Sequence, residues 1–385
     1  MLLQSAKLLS QTSTSPNPTI HTITTHLSAL PTLLKTLYLF TANDFTTFAI
    51  PTTLFALFAS LSGPLLTTNP SPSLLPILSR LPAALLIVWA NLLIFNISNQ
   101  RTPTAVAEDK INKPHRPLPS GRISTESSRR LLLCVIPLVL ALGWALQCWQ
   151  ETLLLFTATW MYNDLQGCDE DWVLRNALIA LGYGLYSSAA LRVVVGRGES
   201  VTGMGIQWVG IVTAVMFVTQ HICDIKDVEG DRIRGRRSAP IVLGDEMVRW
   251  SVAAPVVVCS VLCPAFFGLG VRASLITLGM GALVAGRTVV WRDLKSDKLT
   301  WKLWAAWTVG LFALPLVSNH EVLGRLWGEL LGLFCAGSEC TTSLNVVAVS
   351  GVTLAVEGRR LYGQIVCGEV TGNVSVPTII VDGVS

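Results

Sequence analysis

Apolar residues in this chain come in runs near twenty residues long, without the alternation of a half-buried strand. Runs of that length are the signature of helices that cross a bilayer rather than of buried core helices. Lipid offers no water to backbone polar groups, so a spanning segment is a helix or part of a closed barrel. Long unalternating runs exclude the barrel. The pattern predicts nine apolar helices, at about 40–62, 81–98, 131–147, 152–163, 174–195, 206–223, 250–270, 273–290 and 301–318. Pro51 and Pro137 fall inside two of them and are expected to kink them, which bundles tolerate when neighbours re-satisfy the freed carbonyls. The expected fold class is an all-α, polytopic membrane bundle.

Composition agrees with the pattern. Of 385 residues, 51% are hydrophobic and only 14% charged. A soluble domain carries about 25% charged residues, so this chain has too few to cover a water-facing surface. Residues 1–35 are Ser- and Thr-rich, with Lys7 and Lys35 as their only charges, and read as a flexible leader. Residues 36–318 hold all nine predicted apolar helices and form the transmembrane domain. Residues 319–385 are expected to be a poorly ordered tail, save for an amphipathic helix at Glu321–Phe334. The nine cysteines have no metal spacing and the five histidines form no cluster, which argues against zinc.

Charge then orients the bundle. The loops after the second, sixth and eighth predicted helices hold most cations, among them Arg101, Lys110, Arg122, Arg234, Arg237 and Lys295. Even-numbered loops share one face, and the positive-inside rule makes that face cytosolic. The expected location is the endoplasmic reticulum membrane. Neither a nucleic acid nor a protein partner is indicated.

Two stretches on that face carry chemistry: Glu108–Gly121, and Asp224–Ser238. Four helices separate them, an even number, so both emerge on the same side. Each groups carboxylates beside fixed cations at the mouth of an apolar bundle. That arrangement suits a metal-bound diphosphate whose other end sits in hydrocarbon. Hard ions such as Mg2+ take oxygen ligands, usually a few carboxylates with phosphate oxygens and water. Asp227 and Asp231 are spaced to share one helical face, Asp224 lies three residues earlier, and Asp109 with Glu108 or Asn99 would face them. Lys113, Arg116, Lys226 and Arg232 are the cations placed to meet phosphate oxygens, arginine in bidentate fashion.

The segment Asn112-Lys-Pro-His-Arg-Pro-Leu-Pro-Ser-Gly121 resembles the N-x-P-x-R-P-[IL]-P-S-G segment of the UbiA superfamily of membrane prenyltransferases. Asp109 falls where that family's first-motif aspartate sits. Asp224, Gly230-Asp231, Gly235 and Ser238-Ala-Pro resemble its second motif. The resemblance covers about residues 36–318. It implies a nine-helix bundle, a central cavity opening to lipid, and Mg2+-dependent chemistry on a prenyl diphosphate. One departure stands out: the family's aspartate four residues before Asp109 is Ala105 here. In its place stand Asn96-Ile-Ser-Asn-Gln100 and a longer spacer. With Trp160-Met-Tyr-Asn-Asp-Leu165, this variant is similar to a fungal branch that includes membrane-bound terpene cyclases.

The expected activity is ionisation of a prenyl diphosphate, farnesyl diphosphate first, with cyclisation of the cation to a terpene. The alternative is transfer of the prenyl group to an aromatic or other small acceptor. Trp89, Trp160, Tyr162, Tyr183 and Tyr186 are candidates to line the cavity and stabilise cations through their π faces. A degenerate membrane scaffold is the non-enzymatic rival. The survival of Asp109, Asp227, Asp231, Arg116 and Lys113 together opposes it.

Overall fold

A computed structural model describes residues 18–335 of the chain. The chain divides into Met1–Phe334 and Cys335–Ser385, of which the second, apart from Cys335, lies outside the described residues. Helices run in the order α1 Pro18–Asp44, α2 Ile50–Leu61, α3 Leu74–Gln100, α4 Pro103–Asn112, α5 Thr125–Ala145 and α6 Trp149–Asn163. There follow α7 Gly167–Glu170, α8 Trp172–Val195, α9 Gly203–Thr219, α10 Ile222–Ile225, α11 Val228–Arg234 and α12 Ala239–Leu243. The last are α13 Asp245–Phe266, α14 Val271–Val290, α15 Leu294–Phe312, α16 Leu314–Ser318 and α17 His320–Cys335. Every apolar segment expected from the sequence is helical, and the described residues contain no strand.

The number of spans is another matter. Among the described residues, seven helical stretches are long and apolar enough to cross a membrane: Pro31–Leu61, Leu74–Gln100, Thr125–Ala145, Trp172–Val195, Gly203–Ile225, Asp245–Phe266 and Leu294–Ser318. The expected nine is not reached. Helix α6 has 15 residues, roughly 22 Å at the helical rise, against a hydrocarbon core of about 30 Å. Ser274–Val290 is likewise a shorter apolar helix. Lipid-facing character is plain on the outside, where Leu138 is 68% and Ile276 69% exposed.

Two other expectations change at the ends. The leader expected at 1–35 overlaps α1, which begins at Pro18; residues 1–17 lie outside the described residues. The amphipathic helix expected at Glu321–Phe334 is α17, while the tail beyond it also lies outside.

Pro51 illustrates how the bundle absorbs a helix-breaking residue. A π-helical turn, Phe45–Ala49, joins α1 to α2, and Pro51 sits in the first turn of α2. Proline has no N–H for the carbonyl of Thr47 four residues back. The Tyr183 hydroxyl of α8 donates to that carbonyl instead. Elsewhere the interior is knitted by aromatic residues. Trp304 Nε1 donates to Thr219 Oγ1 at 3.1 Å, Trp307 Nε1 donates to Ser260 Oγ at 2.9 Å, and Phe55 meets Phe312 edge-on.

Candidate active site

The first charged stretch is shaped by its own local sequence. Thr102 caps α4 by accepting the Ala105 N–H at 3.3 Å, and Pro103 occupies the first turn, where its missing N–H costs nothing. After α4 the prolines forbid a helix, and the chain folds into tight turns in which Pro117 O accepts the N–H groups of Arg122 and Ile123. In the second stretch Asp227 precedes α11, and Gly235 ends it at φ +78°, a conformation that favours glycine.

Asn112 clamps the two stretches together. Its Nδ2 donates to Asp227 O at 2.9 Å and its Oδ1 accepts the Gly230 N–H at 3.3 Å. A Cβ on Gly230 would lie 2.2 Å from Asn112 Nδ2, so any larger residue there would displace the Asn112 side chain from its clamp. The loop between α6 and α8 joins them: Arg101 pairs with Asp164, and Asn99 Nδ2 donates to Asn163 Oδ1 at 3.0 Å. The hydrogen bonds and ion pairs bring all three loops together on one face.

Below this face opens a cavity of about 390 Å³, within the size range of small-molecule sites. Its mouth is lined by Lys113, Arg116, Arg175, Lys226, Arg236, Lys298 and Lys302, with Asp44, Glu108 and Asp227 as the carboxylates. Asp109, Asp224 and Asp231 are buried behind that layer. Each holds an arginine in place. Arg116 Nη1 donates to both Asp109 oxygens at 2.9 and 3.0 Å. Arg175 grips Asp224 in bidentate fashion at 3.1 and 2.7 Å while also donating to the Tyr162 hydroxyl. Arg236 Nη1 donates to Asp231 at 2.7 Å and to Glu108 at 3.2 Å. Asp227 accepts from Lys226 at 2.7 Å and from Lys113 at 3.0 Å.

These environments separate the carboxylates. Burial opposes ionisation at Asp227, yet Lys113 and Lys226 outweigh it and hold its carboxyl well below the usual range. The same contest at Glu108, against burial, is won by Arg236, Lys113 and Arg234. At Asp109 and Asp231 burial wins over the arginine partners and pushes both carboxyls up.

Not every residue expected at the site is at the mouth. Asn99, Lys113, Arg116, Lys226, Glu108 and Asp227 line the cavity. Asp227 and Asp231 do not share a face: Asp227 precedes the helix and turns to the lysines, whereas Asp231 inside α11 turns to Arg236. Arg232 is exposed and does not line the cavity; Arg236, after the glycine that ends α11, occupies that role. Among the aromatics, Tyr162, Tyr183 and Tyr186 line the cavity. Trp160 is 55% exposed, and Trp89 hydrogen-bonds Thr41 without lining the cavity.

Several residues went unsuspected. Arg175 carries the clearest signal, an arginine in the first turns of an otherwise apolar helix, where charge is costly and marks function. Asp44, Lys298, Lys302 and the lining aromatics Phe48, Phe95 and Trp304 gave none, because nothing in the sequence tells which face of their helices turns inward.

Mg2+, implied by the resemblance, suits this donor set in kind. Among the described residues no three His, Cys, Asp or Glu side chains converge. Mg2+ does not need such a cage, since one or two carboxylates with substrate phosphates and water suffice. Glu108 and Asp227 are the motif carboxylates that face the cavity, and Asp231 keeps a buried Oδ2 with no hydrogen-bond partner.

Known proteins share this sequence and architecture. The chain is 27% identical over 305 residues to fumagillin beta-trans-bergamotene synthase of Aspergillus fumigatus, covering 79% of this chain and 98% of that protein. It is 28% identical over 277 residues to somaliensene A/B synthase of Streptomyces somaliensis, covering 70% and 88%. A UbiA homologue from Archaeoglobus fulgidus, solved with GPP and Mg2+, superposes with a TM-score of 0.51 over 74% of this chain and 99% of that one, at 13% identity. The family profile described as UbiA prenyltransferase family matches residues 49–313. Two clamped motifs around a cation-lined cavity, and a family match across most of the bundle, lead to one conclusion: this chain is a prenyl-diphosphate enzyme belonging to the UbiA prenyltransferase family.

Proposed function

We propose that this enzyme ionises a prenyl diphosphate, farnesyl diphosphate first among candidates, and lets the chain's own double bonds capture the cation. The observation that carries this reading is the contrast along one cavity. Its mouth presents seven cations. Its apolar wall is made by Phe48, Leu92, Phe95, Leu155, Leu178, Ile179, Tyr183, Tyr186 and Trp304, while the titratable acids and the histidine that line it, Asp44, Glu108, Asp227 and His115, belong to or contact the motif-bearing loops.

In the first step the C1–O bond breaks and the diphosphate leaves with the bonding electrons. Lys113, Arg116, Lys226 and Arg236 take up the growing negative charge, each fixed beforehand by a carboxylate partner so that little reorganisation is needed. Mg2+, when bound with Glu108 and Asp227 as its protein donors, would neutralise the same leaving group. The aromatic faces attract the allylic cation, and the apolar walls exclude water that would quench it. Closure of a carbon–carbon bond moves the charge along the chain. A final proton loss, with the released diphosphate as base, forms the double bond of the product. No protein base is required for that step. Relatives named a beta-trans-bergamotene synthase and a diterpene cyclase support the same reading.

We place the motif-bearing loops on the cytosolic side of the endoplasmic reticulum, from the loop cations. Tags inserted after α3 and after α12 should both be reached from the cytosol. The reaction itself is tested with purified enzyme, farnesyl diphosphate and Mg2+, without acceptor, by gas chromatography. A cyclic sesquiterpene hydrocarbon is the expected product. Farnesol alone, with a new product only once an aromatic acceptor is added, replaces the cyclase reading by the transferase.

A further inference from the structure

Glycines inside this bundle mostly exist to let helices touch. A Cβ on Gly143 would lie 2.6 Å from Thr152, on Gly184 2.3 Å from Thr213, and on Gly281 2.1 Å from Ser260. Gly205 would collide with the carbonyl of Leu66 at 2.4 Å. Each of these is buried against a neighbour, and the absence of a side chain is what the packing requires.

Gly182 breaks that pattern. It is buried in the middle of α8, yet a Cβ built on it meets no heavy atom within 4 Å. The other described glycines with such open surroundings are on the exposed or half-exposed surface; among them Gly182 alone is buried. Close-packed interiors do not leave such gaps by default. Glycine also weakens a helix interior relative to alanine, so neither packing nor helix propensity accounts for it. The explanation is its position: Gly182 lines the cavity.

Helix α8 marks the depth of that cavity. Arg175, Leu178, Ile179, Gly182, Tyr183 and Tyr186 all line it. Gly182 is seven residues beyond Arg175, roughly 10 Å along the helix axis, and Tyr186 is roughly 16 Å beyond it. Gly182 therefore lies well past the reach of a diphosphate gripped at the mouth, at the level of hydrocarbon. Any side chain there would extend into the space the substrate chain must fill.

We propose that Gly182 is a specificity-determining residue: its missing side chain leaves the room in which the distal isoprene units of the substrate fold. The inference rests on the prenyl-diphosphate reading above, and it assigns to one residue the limit on chain length. Enlarging the residue shortens the chain the cavity accepts while leaving the head-group site unaltered.

The test uses the full chain, purified in lipid nanodiscs with Mg2+, and geranyl, farnesyl and geranylgeranyl diphosphates. Diphosphate release is measured for the wild type, Gly182→Ala, Gly182→Val and Gly210→Val; Gly210 is exposed on α9 and does not line the cavity. Binding of the unreactive thiodiphosphate analogues is measured beside it. Gly182→Val should lower kcat/KM for the longest accepted substrate by at least about tenfold relative to the next shorter one, the scale on which apolar pockets discriminate added methylenes. Gly182→Ala should fall between, Gly210→Val should match the wild type, and inhibition by inorganic diphosphate should stay constant throughout. Should Gly182→Val fail to fold, the ratio is read from Gly182→Ala. An unchanged chain-length ratio in an active variant overturns the proposal and leaves the enzyme reading standing. A wild type that neither binds nor turns over any of the three substrates overturns both.

Discussion

The mouth and the interior of the cavity are built on opposite principles. At the mouth, residues far apart in sequence are held by charge: Arg236 of one stretch reaches Glu108 of the other, and Arg175 of α8 reaches Asp224. In the interior, apolar and aromatic side chains are held by packing and by the bundle's shape, and one buried glycine faces open space. A charge network tolerates almost no change, because removing one partner strands another in a poorly solvated place. A packed wall tolerates graded change. On the mechanism proposed above, bond breaking belongs to the rigid half, and the choice of substrate and product to the adjustable half.

The largest expected effect tests the rigid half. Asp227→Ala removes a cavity-facing oxygen donor and frees Lys113 and Lys226, and Asp109→Ala releases Arg116. Each should reduce diphosphate release by a hundredfold or more, by analogy with the loss of one preorganised charge-stabilising group, about 10²–10³. Membrane insertion should remain near normal, while Asp109→Ala, which strands the buried Arg116, should also lose stability by about 3–5 kcal/mol. Near-normal turnover in both would remove the mouth from the mechanism.

Arg175 sharpens the comparison through a double substitution. Arg175→Ala leaves Asp224 buried without its cation and should cost about 3–5 kcal/mol of stability, read by thermal unfolding in detergent. Adding Asp224→Leu should restore much of that stability, since replacing both charges by apolar groups is often neutral. Turnover should stay low in both, because the arginine at the mouth is gone in both. Recovery of activity with stability would make the pair structural only.

Lys298 and Lys302 come next. Both are exposed at the mouth, and among the described residues neither has an ion-pair partner. Lys298→Ala and Lys302→Ala should each raise KM about tenfold, equivalent to ~1.4 kcal/mol, with kcat little changed. Melting temperatures should not move. The smallest effect belongs to the wall: Tyr183→Phe deprives Thr47 O of its donor and should cost about 1 kcal/mol, with a shift in product proportions rather than in rate. Loss of all turnover there would blur the division between the two halves.

Much of the bundle was legible before any coordinates because lipid simplifies the code. A spanning helix must be apolar along its whole length, so segments such as 174–195 declare themselves. Spans were less legible than helices: α6 is apolar but too short, and hydropathy does not say how a short helix sits. The mouth was legible where charge crowds beside apolar runs, as at Glu108, Asp109 and Asp227. It was not legible where a single residue on a long helix turns inward, as at Arg175 or Lys302. Arg232 and Arg236 show the limit most clearly. Four residues apart and chemically alike, they part because Gly235 turns the chain at the end of α11, sending one to solvent and one to the cavity.

What the sequence determined by itself is the all-helical class, the grouping of charge on one face, and the family's two motifs. These follow from composition, periodicity and local turn chemistry, all properties of neighbours along the chain. What only the tertiary structure decided is which carboxylates face the cavity and which stand behind an arginine. It also decided that Asn112 closes over Gly230, and that Gly182 borders empty space while Gly184 is pressed against Thr213. Those are distances between helices. A helix's own sequence fixes its surface, but the partner that surface meets, and the gap left between them, depend on how the whole bundle packs.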